Sequence, residues 1–409
     1  MKKIVKMSLV AAVAVAGLTA ANAKPLEEAI KNVDVSGSVV YRYDDSKVKT
    51  VGGNQSANDQ TNKYKIGLNL KSKVNDDVAL TTRFAVNSGF AGFDTATAAD
   101  SDVSVDLTQV YFGYTGIANT TVNVGKQGLT TPWTVAQDIN GNEQTGTGIL
   151  ALSTVGPVTL AAAYFNQTNL NSSGNFAATL DTASANANSG AKDIITLGAI
   201  ANVGPVALDA WYLEMADLFD TYTIGAKAGF DVSGVKLGAD LRYTALSFDN
   251  AAVANVGTLN TTNDDHDIVE LTLTAKAGIV DAKYAFAKTD KEGGVTALDN
   301  DATTTIQGWS VTALDKNDAT YHQFVLGVQA LDSLHVSANY VTVKYDNTFL
   351  TALSGTDNDK QTEIYAQLVY KMSSNLTSYV RFGTQENEVN GAKSTETDYK
   401  GRLQVAYTF

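Results

Sequence analysis

Apolar and polar residues alternate along most of the chain with a period of two. Val33, Val35, Gly37, Val39, Tyr41 and Tyr43 fall on one side of the first such segment; Asp34, Ser36, Ser38 and Arg42 fall on the other. A strand points successive side chains to opposite faces, so this rhythm predicts a strand with one apolar and one polar face. The pattern recurs over Lys63–Lys71, Val78–Asn87, Val105–Thr115, Thr120–Gln127, Thr147–Ser153, Val158–Phe165, Asp193–Asn202 and Val206–Glu214. It continues over Thr221–Val232, Val235–Leu246, Ile268–Lys276, Ile279–Lys288, Tyr321–Ala330, Leu334–Tyr345, Lys360–Tyr370, Leu376–Thr384 and Tyr399–Phe409. With the first segment the count is 18, within a range of 16–18.

The connections decide between a soluble sandwich and a membrane barrel. Short ones fall at Val74–Asp77, Gly116–Asn119, Thr154–Pro157, Val203–Pro205, Ser233-Gly234, Ala277-Gly278, Leu331–Ser333 and Met372–Asn375. Between them lie long loops rich in Asp, Asn, Thr and Gly, such as Asp44–Asn62, Asn166–Lys192, Ser247–Asp267 and Thr289–Thr320. Short turns on one side and long loops on the other are the pattern of outer-membrane barrels. The predicted fold is therefore all-β: a transmembrane antiparallel barrel over 33–409, with short periplasmic turns and long extracellular loops. Two Gly-Pro turns, Gly156-Pro157 and Gly204-Pro205, each precede a strand and mark hairpin units.

Composition narrows the reading. Lys2, Lys3 and Lys6 precede a short apolar run from Leu9 to Leu18, and Ala21-Asn22-Ala23 has the form of a signal-peptidase site. Residues 1–23 thus read as a cleaved signal peptide, and 24–32 as a short periplasmic segment with Pro25 opening a helical turn. Losing those three lysines takes the formal charge from −13 to −16. So acidic a chain is a poor non-specific binder of nucleic acid and suits a channel that attracts cations. No cysteine occurs, which excludes a disulfide framework and thiolate metal ligands. Only four prolines occur and no linker divides the chain. The last strand carries Tyr399, Gly401, Leu403, Val405, Tyr407 and Phe409 on one face, and an apolar edge of that length would aggregate unless closed.

Parity also places the charges. Arg42, Lys65, Arg83, Arg381 and Arg402 fall on the polar, inward parity of strands 1, 2, 3, 17 and 18. Those strands are neighbours once a barrel closes, so the five cations form one basic wall in a lumen that 18 strands leave open to water. Enzyme signatures are missing. The histidines, His266, His322 and His335, lack metal-protease spacing, and no serine sits in a Gly-x-Ser-x-Gly elbow. The acids Asp264, Asp265, Asp267, Asp299, Asp301, Asp357 and Asp359 read as solvated outer loop, with a loop calcium site as the functional alternative. Trp211 and tyrosines at strand ends read as interface anchors, and Trp133 as packing for an inward loop.

The segments Pro25–Gly37 and Tyr41–Asp44, together with Gly125-Lys126-Gln127, Leu129, Trp133-Thr134, Asp138, Gly141 and Gly146–Gly148, resemble the major outer membrane protein porins of Campylobacter and related bacteria. The matching stretches cover about a sixth of the chain. The resemblance implies a homotrimeric 18-stranded porin passing ions and small hydrophilic solutes, with a preference for cations. It implies that the loop Gly128–Gly146 folds into the pore, which sets Asp138 and Glu143 opposite the basic wall. A divalent cation such as calcium held with the help of Asp138 is a further candidate; otherwise no cofactor is expected. The Tyr407 and Phe409 end looks like the signal read by the barrel-assembly machinery. Outer-membrane lipid completes the expected partners. The rival readings are an adhesin or structural barrel working through its surface loops, and a substrate-specific channel. The chain is too short for a 22-stranded transporter with a plug.

Overall fold

The computed structural model describes residues 33–50, 58–86, 94–96, 105–173, 188–249, 265–291, 293–348 and 359–409. The expected signal peptide and the 24–32 segment lie outside them, as do Asp264 and Asp357. Eighteen long strands follow one another. They are β1 (Val33–Thr50), β2 (Asn58–Lys73), β3 (Val78–Val86), β4 (Val105–Ile117), β5 (Thr120–Gly128) and β6 (Thr145–Val155). Next come β7 (Val158–Thr168), β8 (Ile194–Val203), β9 (Val206–Met215), β10 (Phe219–Val232), β11 (Val235–Phe248) and β12 (Asp265–Ala277). The series ends with β13 (Val280–Thr289), β14 (Thr320–Leu331), β15 (Leu334–Tyr345), β16 (Asp359–Lys371), β17 (Leu376–Val389) and β18 (Ala392–Thr408). Each segment of alternating sequence corresponds to one of these strands.

Every strand pairs antiparallel with its sequence neighbours, and β18 pairs back onto β1 from Ser38↔Thr408 to Thr50↔Thr395. Phe409 completes the seam: its N–H donates to the Gly37 carbonyl at 3.0 Å and its carbonyl accepts from Gly37 N–H at 2.9 Å. A barrel closed this way has no free edge, which is what a strand protein needs in lipid. Only glycine fits at position 37, because a Cβ there would lie 2.3 Å from the Gly67 carbonyl oxygen.

The two faces differ as parity requires. Val39, Tyr41, Phe112, Val124, Leu197, Ile224, Phe324 and Leu403 are exposed on the outer wall, where lipid takes up apolar surface. Their alternates point inward, and Val40, Arg42, Lys65, Arg83, Ala85 and Gln404 are buried. The end with short connections has turns such as Gly156-Pro157 and Gly204-Pro205, where the glycines take φ of 59° and 58°. A two-residue hairpin with glycine first and proline second needs that positive φ.

At the opposite end three connections are shorter than the spacing predicts, the first being the expected loop Asp44–Asn62, since β1 runs to Thr50 and β2 starts at Asn58. Residues 216–218 alone join β9 to β10. The stretch expected as a loop after Thr384 instead continues the β17–β18 ladder to Val389↔Ala392, with register shifts on the way. Asn390 and Gly391 turn the corner with φ of 54° and 71°. An Asn-Gly pair is the common type I′ hairpin turn, and alternation in the flanking residues is too polar to advertise the strands.

Candidate functional site

Five inward cations lie on adjacent strands across the seam. Arg381 and Arg402 are register partners of β17 and β18. Arg402 lies opposite Asp44 of β1 and donates to it through Nε. Lys63 of β2 reaches the same carboxylate at 3.3 Å. Lys65 and Arg83 complete the row, and both are buried. The basic residues expected from parity are therefore contiguous, and Asp44 sits among them.

The segment between β5 and β6 meets that row directly. Arg83 donates to both oxygens of Glu143, through Nε at 2.7 Å and Nη2 at 2.6 Å. Lys65 Nζ lies 3.0 Å from Glu143 Oε1 and donates to the carbonyls of Gly141 (2.8 Å) and Asp138. Arg42 donates to Asn140 through two guanidinium nitrogens, each at 3.1 Å, and to Gln404 at 2.8 Å. Glu143 has no exposed surface. The acid and the bases are thus in contact, where an acid across open space from them was expected. A bidentate arginine, a lysine and a carboxylate in one buried group hold the segment to the wall with charge-assisted bonds.

A second segment, between β13 and β14, packs on the first. Leu298 N–H donates to the Trp133 carbonyl at 3.0 Å, Thr303 N–H to the Pro132 carbonyl at 3.0 Å, and Gln144 to Asp299 at 2.7 Å. Trp133, Leu129, Val295 and Leu298 share a buried apolar cluster with Phe165, Leu213 and Phe219. Asp299 was expected on a solvated outer loop; it is 3% exposed. Trp211 was expected at the lipid interface; it faces inward and packs against the same cluster. Parity would have placed it there, since Leu208, Ala210 and Tyr212 take the outer face.

Glu363 anchors the second segment. It accepts from Ser310 N–H at 3.0 Å and from Trp309 N–H, and it pairs with Lys400 at 2.8 Å. Lys400 also donates to Ser310 Oγ at 2.9 Å. Neither Glu363 nor Lys400 was singled out from sequence, although Lys400 shares the parity of Arg402. Glu363→Gln should free the Trp309–Ser310 turn, and single-channel records should then show larger open-state current noise than wild type. Unchanged noise would mean the turn is held by its packing alone.

Between the two segments and β17–β18 lies a cavity of about 430 Å³. Asp299, Asp301 and Gln307 line one side; Tyr379, Arg381 and Arg402 line the other, with Trp309 between them. Three cations surround the Trp309 ring: Lys400 at 4.5 Å, Arg402 at 5.7 Å and Arg381 at 5.8 Å from its centroid. Asp138, two residues before Asn140, is 9% exposed and accepts from Asn140 N–H. Burial pushes its carboxyl up to about 6, and the nearby Asp301 and Asp299 carboxylates push the same way. Burial raises Asp299 as well. Among the described residues no group of three or more His, Asp or Glu side chains could hold a metal ion.

Each histidine has an aromatic or acidic neighbour. His266 lies on β12, buried beside Phe248, and not in a loop. His322 meets Tyr284 and His335 meets Asp281 at 2.8 Å.

The whole chain, residues 1–409, matches the family model described as Campylobacter major outer membrane protein. The chain belongs to that family. It is accordingly a β-barrel channel of the bacterial outer membrane, not an enzyme. Solved structures agree on the fold. Pseudomonas aeruginosa OccK2 (OpdF) in complex with glucuronate superposes with a TM-score of 0.70 at 16% identity, covering 92% of this chain and 98% of that one. A BenF-like porin from Pseudomonas fluorescens gives 0.70 at 14% identity, covering 93% and 99%. Acinetobacter baumannii OccAB3 gives 0.69 at 13% identity, covering 92% and 99%. No curated protein matches the chain.

Proposed function

We propose that this family member is a general diffusion porin with a mild preference for cations, its pore narrowed by the 129–144 and 293–318 segments. The observation that carries the reading is the buried Glu143–Lys65–Arg83 group, which fixes the first segment against the inward wall. Water and solutes are then left a path between acids of the second segment and arginines of β17 and β18. Charges set across a narrow wet passage orient dipolar solutes and select ions by sign. The reading needs no cofactor. It includes cleavage of residues 1–23, assembly as a homotrimer in outer-membrane lipid, and Tyr407 and Phe409 as the mark read by the assembly machinery.

Liposome swelling tests the general character. Uptake of uncharged sugars should fall smoothly with size and rise linearly with concentration. Saturation by one sugar, with poor uptake of others its size, would contradict a general pore.

Asp138 makes selectivity pH-dependent. Its carboxyl titrates near 6, so it is mostly ionised at pH 7 and mostly protonated at pH 5. Because that value lies above the ordinary carboxylate range, the folded state disfavours the charged form, and acidification through pH 6 relieves rather than adds strain. Cation preference should therefore drop between pH 7 and pH 5 in a barrel that stays folded. Asp138→Asn should abolish that drop; a drop of the same size in the variant would show that other groups titrate.

A further inference from the structure

We infer that the 430 Å³ cavity is a transit subsite for free α-amino acids, bound as zwitterions with the carboxylate on Arg381 and the ammonium on Asp301. This rests on the channel reading and names a solute class for it.

Arg381 supplies the carboxylate end of the subsite. Its guanidinium lies 4.9 Å from the Tyr379 ring centroid and 5.8 Å from those of Tyr365 and Trp309, so three aromatic faces fix its plane. Its Nε donates to Gln367, and among the described residues it makes no ion pair. The two terminal nitrogens of a guanidinium held in this way form a fork that matches a carboxylate. Of the cations around it, Lys65 and Arg83 pair with Glu143, Lys400 with Glu363 and Arg402 with Asp44.

Asp301 supplies the ammonium end. It is exposed and lines the same cavity. It accepts from Gln307 through Oδ1, its backbone N–H donates to Asp299 at 2.8 Å, and it too makes no ion pair among the described residues. Asp299 beside it adds negative charge. An unpaired arginine on one wall and an unpaired carboxylate on the other present opposite charges to one cavity. Its volume falls in the range of about 300–1,000 Å³ usual for small-molecule sites.

The charge pattern chooses the solute. A plain anion meets Asp299 and Asp301 on the far wall, within a chain of strongly negative net charge. A plain cation meets Arg381 and Arg402. A zwitterion satisfies both walls, and desolvating its two ends is offset at both.

The test uses the full refolded barrel in a planar bilayer at neutral pH, with L-leucine, N-acetyl-L-leucine and L-leucinamide added separately. L-leucine should lower the open-channel current in a saturable way, and the anion and the cation should each need about tenfold more for the same block, the loss expected for one charge-assisted contact. Arg381→Gln and Asp301→Asn should each weaken the leucine block by a similar factor. Asp301→Asn should also bring N-acetyl-L-leucine level with leucine. Arg381→Lys, which keeps charge without the fork, should fall between wild type and Arg381→Gln. Equal block by all three solutes, or variants that respond like wild type, overturns the proposal while the channel stands. Absence of any open-channel current before solute is added overturns the channel reading and the proposal with it.

Discussion

Glu143→Ala is expected to cost the folded barrel roughly 3–5 kcal/mol and to widen its channel, because it strands two buried cations. Arg83 loses a bidentate carboxylate and Lys65 loses its ion pair, and both side chains are almost fully buried. Removing one partner of a buried group leaves its desolvation penalty without compensation. The 129–144 segment would also lose its strongest tie to the wall. Urea titration of the refolded barrel in lipid should show the loss of stability, and single-channel recording should show raised conductance. Glu143→Gln, which retains the acceptor oxygen and the shape, should do less on both counts. A stable Glu143→Ala variant with wild-type conductance would mean that the apolar cluster around Leu129 and Trp133 holds the segment alone.

The second large effect is on ion selectivity. A carboxylate about 4 Å from a passing cation is worth roughly 1 kcal/mol in a water-like medium, or about a fivefold change in local ion concentration. Asp301→Asn should therefore cut the cation-to-anion permeability ratio by up to about fivefold, less where salt screens it. Arg381→Gln should move the ratio in the opposite direction. Reversal potentials in a salt gradient, read at low and high ionic strength, give both signs. Two variants that shift the potential the same way would show that the cavity does not lie on the ion path.

The barrel was legible in the sequence because one physical rule repeats along it. Each strand alternates faces, and lipid on one side with water on the other keeps the alternation strict, so Val39 and Arg42 announce opposite walls. The basic row was legible for the same reason. What faces it was not. Glu143 was identified as the opposing acid, but sequence spacing says nothing about whether an acid and a base touch or stand apart. The segment between β13 and β14 looked like polar surface because Asp299, Asp301 and many threonines dominate it; its burying residues, Val295, Leu298 and Val311, have no period to betray them. Glu363 and Lys400 went unnoticed although each obeys its strand's parity, since single charges in a wet lumen carry no local signal. Trp211 was misassigned by residue type where parity was the better guide. The Asn390-Gly391 turn was a hairpin signal overridden by the polar character of its flanks.

The most direct test of the account is the current through single refolded barrels in a planar bilayer under a salt gradient. Single barrels should give discrete conductance steps with a reversal potential on the cation-selective side, moving toward zero as pH falls from 7 to 5. Folded barrels that pass no current, or that prefer anions at pH 7, would contradict the account.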